Sequence, residues 1–339
     1  MKVYVIIVNW NGQKLLPDCL SSLQKQSYSN FKIVVVDNGS TDESINLVKT
    51  HFSDVHLISL PQNLGFGKSN NIGIKWALEQ GAEAIALLNN DCTATPDWLS
   101  HLVQGLSQDS SIGACASQLL FKNNPSKVNG IGIEMDELGY TGDNYCDTDF
   151  NPHRLPEETI GFTAGACLIR REALQKAGLF DEFYFMYVED VDLSLRIWQS
   201  GFKIVTVPQA IVFHLHNATI KQFLHKKHYF TVRNHLYFSA KFFSFPQCLG
   251  VLALITYLRI IKSKKLLYRR QWKLALYYYM GLWAAIMQLP SVLFKKQSYR
   301  IDPRLREKMK KNKSWSKSCW NLMAVKKRLI ESYGRREGD

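Results

Sequence analysis

The chain has 339 residues, 46% hydrophobic and 21% charged, which excludes an unstructured polymer and leaves room for one large domain with an appendage, or for two domains. Its net charge of +13 is uneven: residues 221–339 hold 27 Lys and Arg against 5 Asp and Glu, while residues 1–220 hold 15 against 24. Seven scattered cysteines with no C-x-x-C pair exclude a disulfide framework and a thiolate metal cluster, and suit a reducing compartment.

The first elements read as buried strands alternating with helices. Val3 to Val8 is a continuous apolar run ended by Asn9-Trp10-Asn11-Gly12, which reads as a first strand rather than a secretion signal. Leu15 to Gln26 has helical spacing, with Leu16, Leu20 and Leu23 on one side. Lys32 to Val36 is a second strand. Ser40-Thr41-Asp42-Glu43 then predicts a helix start closed by a capping box between Ser40 and Glu43. Val55 to Leu60 is a third strand, Ser69 to Gln80 a helix, and Ala84 to Leu88 a fourth strand. This alternation predicts an α/β fold with a mostly parallel sheet and helices on both faces.

Residues 122–158 are rich in Asn, Gly, Asp and Pro and predict an irregular excursion, with short hairpins around Ile131-Gly132-Ile133. So long a segment inside a domain is usually functional. Order returns with Gly161 to Arg170, a helix over Arg171 to Ala177, and a helix from Asp190 to Ser200 closed by Gly201. Asp192 and Arg196, four apart, are expected to pair on that helix's surface. Lys203 to Val207 and Ala210 to Phe213 read as strand pieces.

The texture changes near residue 220, which sets the expected divisions at 1–220, 221–294 and 295–339, the last a basic and partly disordered tail. Cys248 to Ile261 and Leu274 to Leu289 are apolar, and Lys262, Lys264, Lys265, Arg269 and Arg270 lie between them. Each run is shorter than the ~20 residues that a membrane-crossing helix needs. Helices lying in the interface of an anionic membrane are the favoured reading. A plain helical subdomain and a spanning hairpin remain open beside it.

Three acidic clusters carry the chemistry. Asp37, in Asp37-Asn38-Gly39-Ser40, follows a strand and can accept from a ribose hydroxyl or a base N–H, or serve as plain turn chemistry. Asn89-Asn90-Asp91 follows another strand, where one carboxylate with a diphosphate suffices for Mg2+ or Mn2+. Glu189-Asp190 opens a helix, where acidic residues are favoured in any case, and either could take a proton from an attacking hydroxyl. His214 and His216 follow a strand, and an imidazole there could join the metal. Carboxylates at strand ends are how an α/β sheet presents charge to a ligand. The absence of G-x-G-x-x-G after the first strand argues against a dinucleotide site.

From Val3 to Phe243 the ordered set of motifs resembles the family 2 glycosyltransferases with their GT-A fold, in particular the bacterial rhamnosyltransferase-like branch. The segments that carry it are Val8-Asn9-Trp10-Asn11-Gly12, Val35 to Asp42, Asn63-Leu64-Gly65-Phe66-Gly67 with Asn70-Asn71-Ile72-Gly73, and Gly161 to Arg171. Gly178 to Glu182, Glu189-Asp190-Val191-Asp192-Leu193, Val212-Phe213-His214 and Arg233-Asn234 complete the set. The resemblance implies a nucleotide-sugar site at Asn9, Asp37, Asn38, Gly65, Asn71, Asn90 and Asp91. It further implies Asp91 and His214 on the metal, Asp190 as base with Glu189 near the acceptor, and Gly165 and Ala166 on the acceptor side. Asn89 departs from the family, where many relatives have Asp, which lowers the charge available to a metal.

The resemblance also implies an inverting transfer of one sugar, from dTDP-rhamnose by preference or from a UDP-sugar. The charge and apolarity of the basic, aromatic rear add the expectation of a lipid-linked glycan acceptor, met at the cytoplasmic face of a membrane by a peripheral or monotopic enzyme. A nucleotidyltransferase and a non-catalytic carbohydrate- or membrane-binding protein are the alternatives. The basic rear is expected to meet an anionic membrane surface rather than nucleic acid.

Overall fold

A computed structural model of the chain describes residues 1–136, 139, 141–215, 224–268, 270–294 and 301–311. Strands β1 (Val3–Asn9), β2 (Phe31–Asp37), β3 (His56–Ser59) and β4 (Ala84–Leu88) run parallel in the order β3-β2-β1-β4. The register sets Asn9 beside Asp37 and Asp37 beside Ser59, so polar ends line up at one carboxyl edge. Because side chains alternate across a strand, Tyr4 and Ile6 face one core layer and Val3, Val5 and Ile7 the other. Helix α1 (Leu16–Gln24) covers the second layer with Leu16, Cys19, Leu20 and Leu23. Helix α3 (Phe66–Glu79) covers the first with Ile74 and Ala77.

The capping box does not form. Helix α2 (Ser44–His51) starts later than expected, and the Asp42 carboxylate accepts from the Ser44 backbone N–H at 3.1 Å instead. The Ser40 hydroxyl oxygen is taken up elsewhere, accepting from Asn11 N at 2.9 Å and from Asn9 Nδ2 at 3.3 Å while its proton goes to Asp37 at 2.6 Å.

The far half of the sheet corrects the expectation of a mostly parallel one. Strand β10 (Ala166–Arg170) pairs antiparallel with β4 and with β6 (Ile112–Phe121). Strand β11 (Lys203–His214) runs parallel to β6, and the short β5 (Cys92–Ala94) closes that edge antiparallel. The sheet is mixed because β10 returns from a long excursion rather than from a helical crossover, so nothing forces it to run parallel. β11 is one strand rather than two pieces; its register shifts between Val207 and Ile211, around Pro208, which has no N–H for the ladder. Helix α4 (Trp98–Ser107) follows β5 in the chain and adds Trp98, Leu99, Leu102 and Leu106 to the second core layer.

The excursion over 122–158 is more ordered than its composition suggests. Strand β7 (Asn124–Ile131) joins the main sheet beside β6, and β8 (Ile133–Met135) pairs with β9 (Thr141–Asp143) as a small ribbon. Gly132, at φ +74°, makes the turn between β7 and β8, where a Cβ would lie 2.5 Å from the Thr159 hydroxyl oxygen.

Helices α5 (Arg171–Ala177) and α6 (Glu189–Gln199) follow. Asp192 and Arg196 do pair, at 2.6 Å, but inside the protein rather than on its surface. Lys241 of helix α7 (Leu224–Phe242) reaches the same carboxylate at 2.6 Å, and the Tyr184 hydroxyl donates to it at 3.0 Å. Core packing continues past residue 220: Phe238, Phe242 and Phe243 share one cluster with Tyr4, Ile6 and Phe162. Helix α10 (Pro303–Lys311) adds Leu305 and Met309 to that cluster, inside the segment expected to be a loose tail. Helices α8 (Phe245–Tyr268) and α9 (Trp272–Phe294) form a satellite core with α7 through Val232, Leu236, Val251, Tyr278 and Ala285. Among the described residues no helix is long and apolar enough to cross a membrane.

Asp192→Ala leaves two buried cations, Arg196 and Lys241, without their shared carboxylate. Urea unfolding should show a loss of about 3–5 kcal/mol. A loss under about 1 kcal/mol would mean that the group does not anchor α6 to α7.

Candidate active site

The site is assembled along the carboxyl edge of β1, β2 and β4. Asn9 is wholly buried and works in both directions. Its Nδ2 donates to Asp37 Oδ2 at 3.0 Å, and its Oδ1 accepts from Asn90 Nδ2 at 2.8 Å. Asp37 also accepts from the Ser40 backbone N–H at 2.9 Å. Asn38 ties the next loop into place: its Oδ1 accepts from Leu64 N at 2.8 Å, and its Nδ2 donates to Asn63 Oδ1 at 3.0 Å. Gly65, at φ +88°, lies where a Cβ would come 2.5 Å from the Phe185 carbonyl oxygen, so only glycine fits.

Asp37, Asn9, Asn90 and Asp91 therefore form one continuous line. Asn71 does not join it. Its amide donates to the Phe180 carbonyl and accepts from the Phe180 N–H, both at 2.9 Å, which makes it a brace between α3 and residue 180 rather than a donor ligand.

Asp91 Oδ1 stands 3.4 Å from His214 Nε2, because β5 pairs with the end of β11. On the other side of that ring, Nδ1 lies 2.6 Å from Asn129 Oδ1, and a donating Nδ1–H there presents Nε2 toward Asp91. Cys92 shares this corner, and its ligand atom lies within 4.8 Å of the other two. Burial, and then the Asp91 charge, push its thiol well above the ordinary range, so it stays protonated and is no ligand for a hard cation. His216 lies outside the described residues.

Glu189 and Asp190 begin α6 beneath this corner. Asp190 Oδ1 accepts from Val191 N at 2.9 Å and Oδ2 from Ala164 N at 3.3 Å. Gly165 and Ala166 are the next residues along, at the start of β10, and the Gly165 carbonyl accepts from Asn89 N at 2.9 Å. Burial raises the Asp190 carboxyl above its usual value against those two N–H groups. Glu189 is raised well above its usual value by burial and then by Asp190, and among the described residues its Oε2 has no hydrogen-bond partner.

Asp143, at the end of β9, was not singled out in the sequence. It is pushed up to about 6 by burial and then by the charge of Asp190, and pulled down by His214, which sets it in the field of both. Gly130 permits this approach, since a Cβ there would come 2.8 Å from the Asp143 Cβ. Asn129 was missed too. Both lie in the segment read as irregular, and only the pairing of β7 with β6 and of β8 with β9 carries them to the site.

The sequence pattern described as "Glycosyl transferase family 2" matches residues 4–178. The chain is 29% identical over 235 residues to an N-acetylglucosaminyl-diphospho-decaprenol L-rhamnosyltransferase of Mycobacterium tuberculosis, covering 62% of this chain and 75% of the relative. It is 25% identical over 227 residues to the O-antigen chain rhamnosyltransferase RfbN of Salmonella typhimurium, covering 66% and 69%. Among solved structures, the mannosyltransferase PcManGT from Pyrobaculum calidifontis, in complex with GDP-Man and Mn2+, superposes with a TM-score of 0.51 at 17% identity, covering 85% of this chain and 87% of that one. GalNAc-T7 with UDP, GalNAc and Mn2+ gives 0.53 at 20% identity, covering 70% of this chain and 51% of that one. At these identities the structures show a shared GT-A fold.

Asp143 makes stability depend on pH in a defined direction. Its raised value means that the folded chain keeps a proton that the unfolded chain has lost, from the ordinary carboxylate range up to about pH 6. Stability contributed by the neutral carboxyl is present below that window and is lost as pH rises through it. Asp143→Asn should flatten the pH dependence of unfolding measured between pH 4 and pH 6, and by less than a fully enclosed carboxyl would, because the residue at the end of β9 is itself exposed to solvent. An unchanged slope would place Asp143 in water rather than beside Asp190.

Proposed function

The chain belongs to glycosyl transferase family 2 and is a glycosyltransferase, and from that premise we propose that Asp190 deprotonates an acceptor hydroxyl while the Asp37–Asp91 line holds a nucleotide-diphosphate sugar. The observation that carries this reading is the run of contacts Asp37–Asn9–Asn90, then Asp91–His214, joined to Asp190 where Ala164 N donates to its carboxylate and the adjoining Gly165 carbonyl accepts from Asn89 N. Two halves of one reaction thus meet at one edge of the sheet.

The proton goes to Asp190 as the acceptor oxygen attacks the anomeric carbon from the face opposite the diphosphate. The bond to the diphosphate oxygen breaks in the same step, so configuration inverts. A base works best when its pKa lies near the working pH, and burial moves Asp190 in that direction. Burial, and then the Asp190 charge, raise Glu189 further than burial raises Asp190, which favours Asp190 over Glu189 as the base.

A divalent cation suits the corner in part. Asp91 supplies a hard carboxylate oxygen, and His214 an imidazole nitrogen that Mn2+ accepts more readily than Mg2+. Asn89 in place of a second carboxylate leaves the diphosphate oxygens to complete the shell. When bound, such an ion neutralises charge on the departing diphosphate. Asn9 and Asn90 hold the strand ends that place Asp91 there.

The rhamnosyltransferase relatives support a dTDP-rhamnose donor, with a UDP-sugar as the second candidate, and one relative's name supports a lipid-diphosphate acceptor. Docking to the cytoplasmic face of an anionic membrane fits helices α8 and α9. They expose Tyr268, Trp272, Leu276, Trp283 and Met287 beside exposed Lys264, Arg270 and Lys273.

With dTDP-rhamnose or a UDP-sugar and a lipid-diphosphate glycan acceptor, Asp190→Asn should lower kcat by roughly 10²–10⁴ and leave nucleotide affinity unchanged. Undiminished turnover by that variant would remove Asp190 from the base role. The chain should float with vesicles containing anionic phosphatidylglycerol and less so at high salt. Trp272→Ser with Trp283→Ser should reduce flotation several-fold. Salt-sensitive retention on duplex DNA without flotation would assign the basic rear to nucleic acid instead.

A further inference from the structure

The residues leading into Glu189 and Asp190 have a backbone that their side chains disfavour. Phe185 lies at φ +61°, Tyr187 at +72° and Val188 at +75°. A β-branched residue such as Val188 is an outlier in the left-handed region, and three such residues in a row of four persist only where surroundings hold them. The holder is the pair Arg233-Asn234 on α7.

Asn234 is fully buried, and its Nδ2 donates to the carbonyls of Tyr184 at 2.9 Å, Met186 at 2.8 Å and Tyr187 at 2.8 Å. One NH2 group has two hydrogens, so three carbonyls share them and must converge to do so. Arg233 fixes which way the amide points, because its Nε donates to Asn234 Oδ1 at 2.9 Å. Its NH2 group donates to the carbonyls of Phe183 at 2.7 Å and Tyr184 at 2.9 Å. The guanidinium lies over the rings of Phe183 at 4.6 Å and Phe230 at 5.0 Å, which keeps it planar and in place.

The clamped loop touches both the Gly65 turn and the start of α6. Phe185 presses both its ring and its carbonyl against Gly65, and the carbonyl accepts from Phe66 N at 2.6 Å at the start of α3. Val188 is the residue from which α6 departs, and its carbonyl accepts from Asp192 N at 3.0 Å. We propose that Asn234, oriented by Arg233, is a positioning residue for the transfer reaction: it sets the left-handed loop that aims Glu189 and Asp190 at the acceptor hydroxyl and ties that aim to the donor-side loop. This rests on the assignment of Asp190 as base.

Asn234→Asp has the same shape but no NH2 group, and its oxygens face carbonyls. Misplacing a reacting group by about 1 Å costs on the order of 100-fold. The full chain carrying Asn234→Asp should therefore lose about 100-fold in kcat, with dTDP and UDP affinity by calorimetry within two-fold of the parent. Arg233→Lys keeps the charge but loses the fork, and should lose roughly 10-fold with the same pattern. Hydrogen exchange, which needs no substrate, should speed up at least ten-fold over residues 183–190 and stay unchanged in β1 and β4.

Asp190→Asn runs beside these variants. Undiminished turnover there ends the base assignment, while the exchange result still judges the clamp. Unchanged exchange over 183–190 and unchanged kcat in folded Asn234→Asp would overturn the proposal. So would a joint fall of kcat, nucleotide affinity and thermal stability in both variants, or failure of both to fold, since each makes the pair a folding element only.

Discussion

Carboxylates held out of water must be solvated by something else, and in this chain that something is chiefly the neutral amide. Asp37 is met by the Asn9 amide and the Ser40 backbone, and Asp190 by the N–H groups of Ala164 and Val191. A cation in these places would neutralise the acid and compete with any ligand for it. An amide lowers the cost of burial and leaves the negative charge in place. The contrast lies at Asp192, where two cations close on one carboxylate and the group is left with structural work alone. The protein thus holds two kinds of acid, those faced by neutral amides and the one faced by cations, and only the first kind keeps its charge open to a ligand.

Much of this was legible in the sequence. Continuous apolar runs announced β1, β2 and β4, and β4 and α5 fall on their expected bounds. Polar residues closing those runs placed Asn9, Asp37 and the Asn90-Asp91 pair at one edge. Other features were not legible, because they depend on partners distant in sequence. The Ser40 hydroxyl suits a helix cap until the Asn11 N–H, from which it accepts instead, is known to lie within reach. Asp143 and Asn129 sit in a stretch whose composition reads as loop, and only sheet pairing orders it. Asn71 looked like a ligand because its motif is polar and near the donor loop, yet its amide is fully engaged with Phe180. Whether a sheet is parallel or mixed is likewise decided by where a long connection returns, which local periodicity does not encode.

The rear of the chain has two distinct duties. Toward the sheet, α7 supplies Phe238 and Phe242 to the main core and Asn234 and Lys241 to buried polar groups. Away from it, α8 and α9 keep large aromatic and aliphatic side chains in contact with solvent beside lysines and an arginine. A mean boundary drawn from composition cannot separate these duties, since both faces are aromatic and basic. The distinction is made by which residues meet the catalytic half, and so by helix phase rather than by content.

The segment from Phe180 to Val188 is where those halves are joined, and it is held from both directions. Asn71 of α3 fixes Phe180, and Phe66 fixes the Phe185 carbonyl. From α7, Tyr237 and Lys241 meet Asp181 at 2.9 Å and 2.8 Å, and Arg233 and Asn234 take the carbonyls that follow. A displacement at carbon needs attacking and leaving groups in line, a condition sensitive to shifts on the order of 1 Å. A segment anchored on one side could fix the Gly65 loop or the start of α6 separately. Anchored on both, it makes their relative placement a property of the fold, and the left-handed backbone at Tyr187 and Val188 is the local conformation through which that placement is reached.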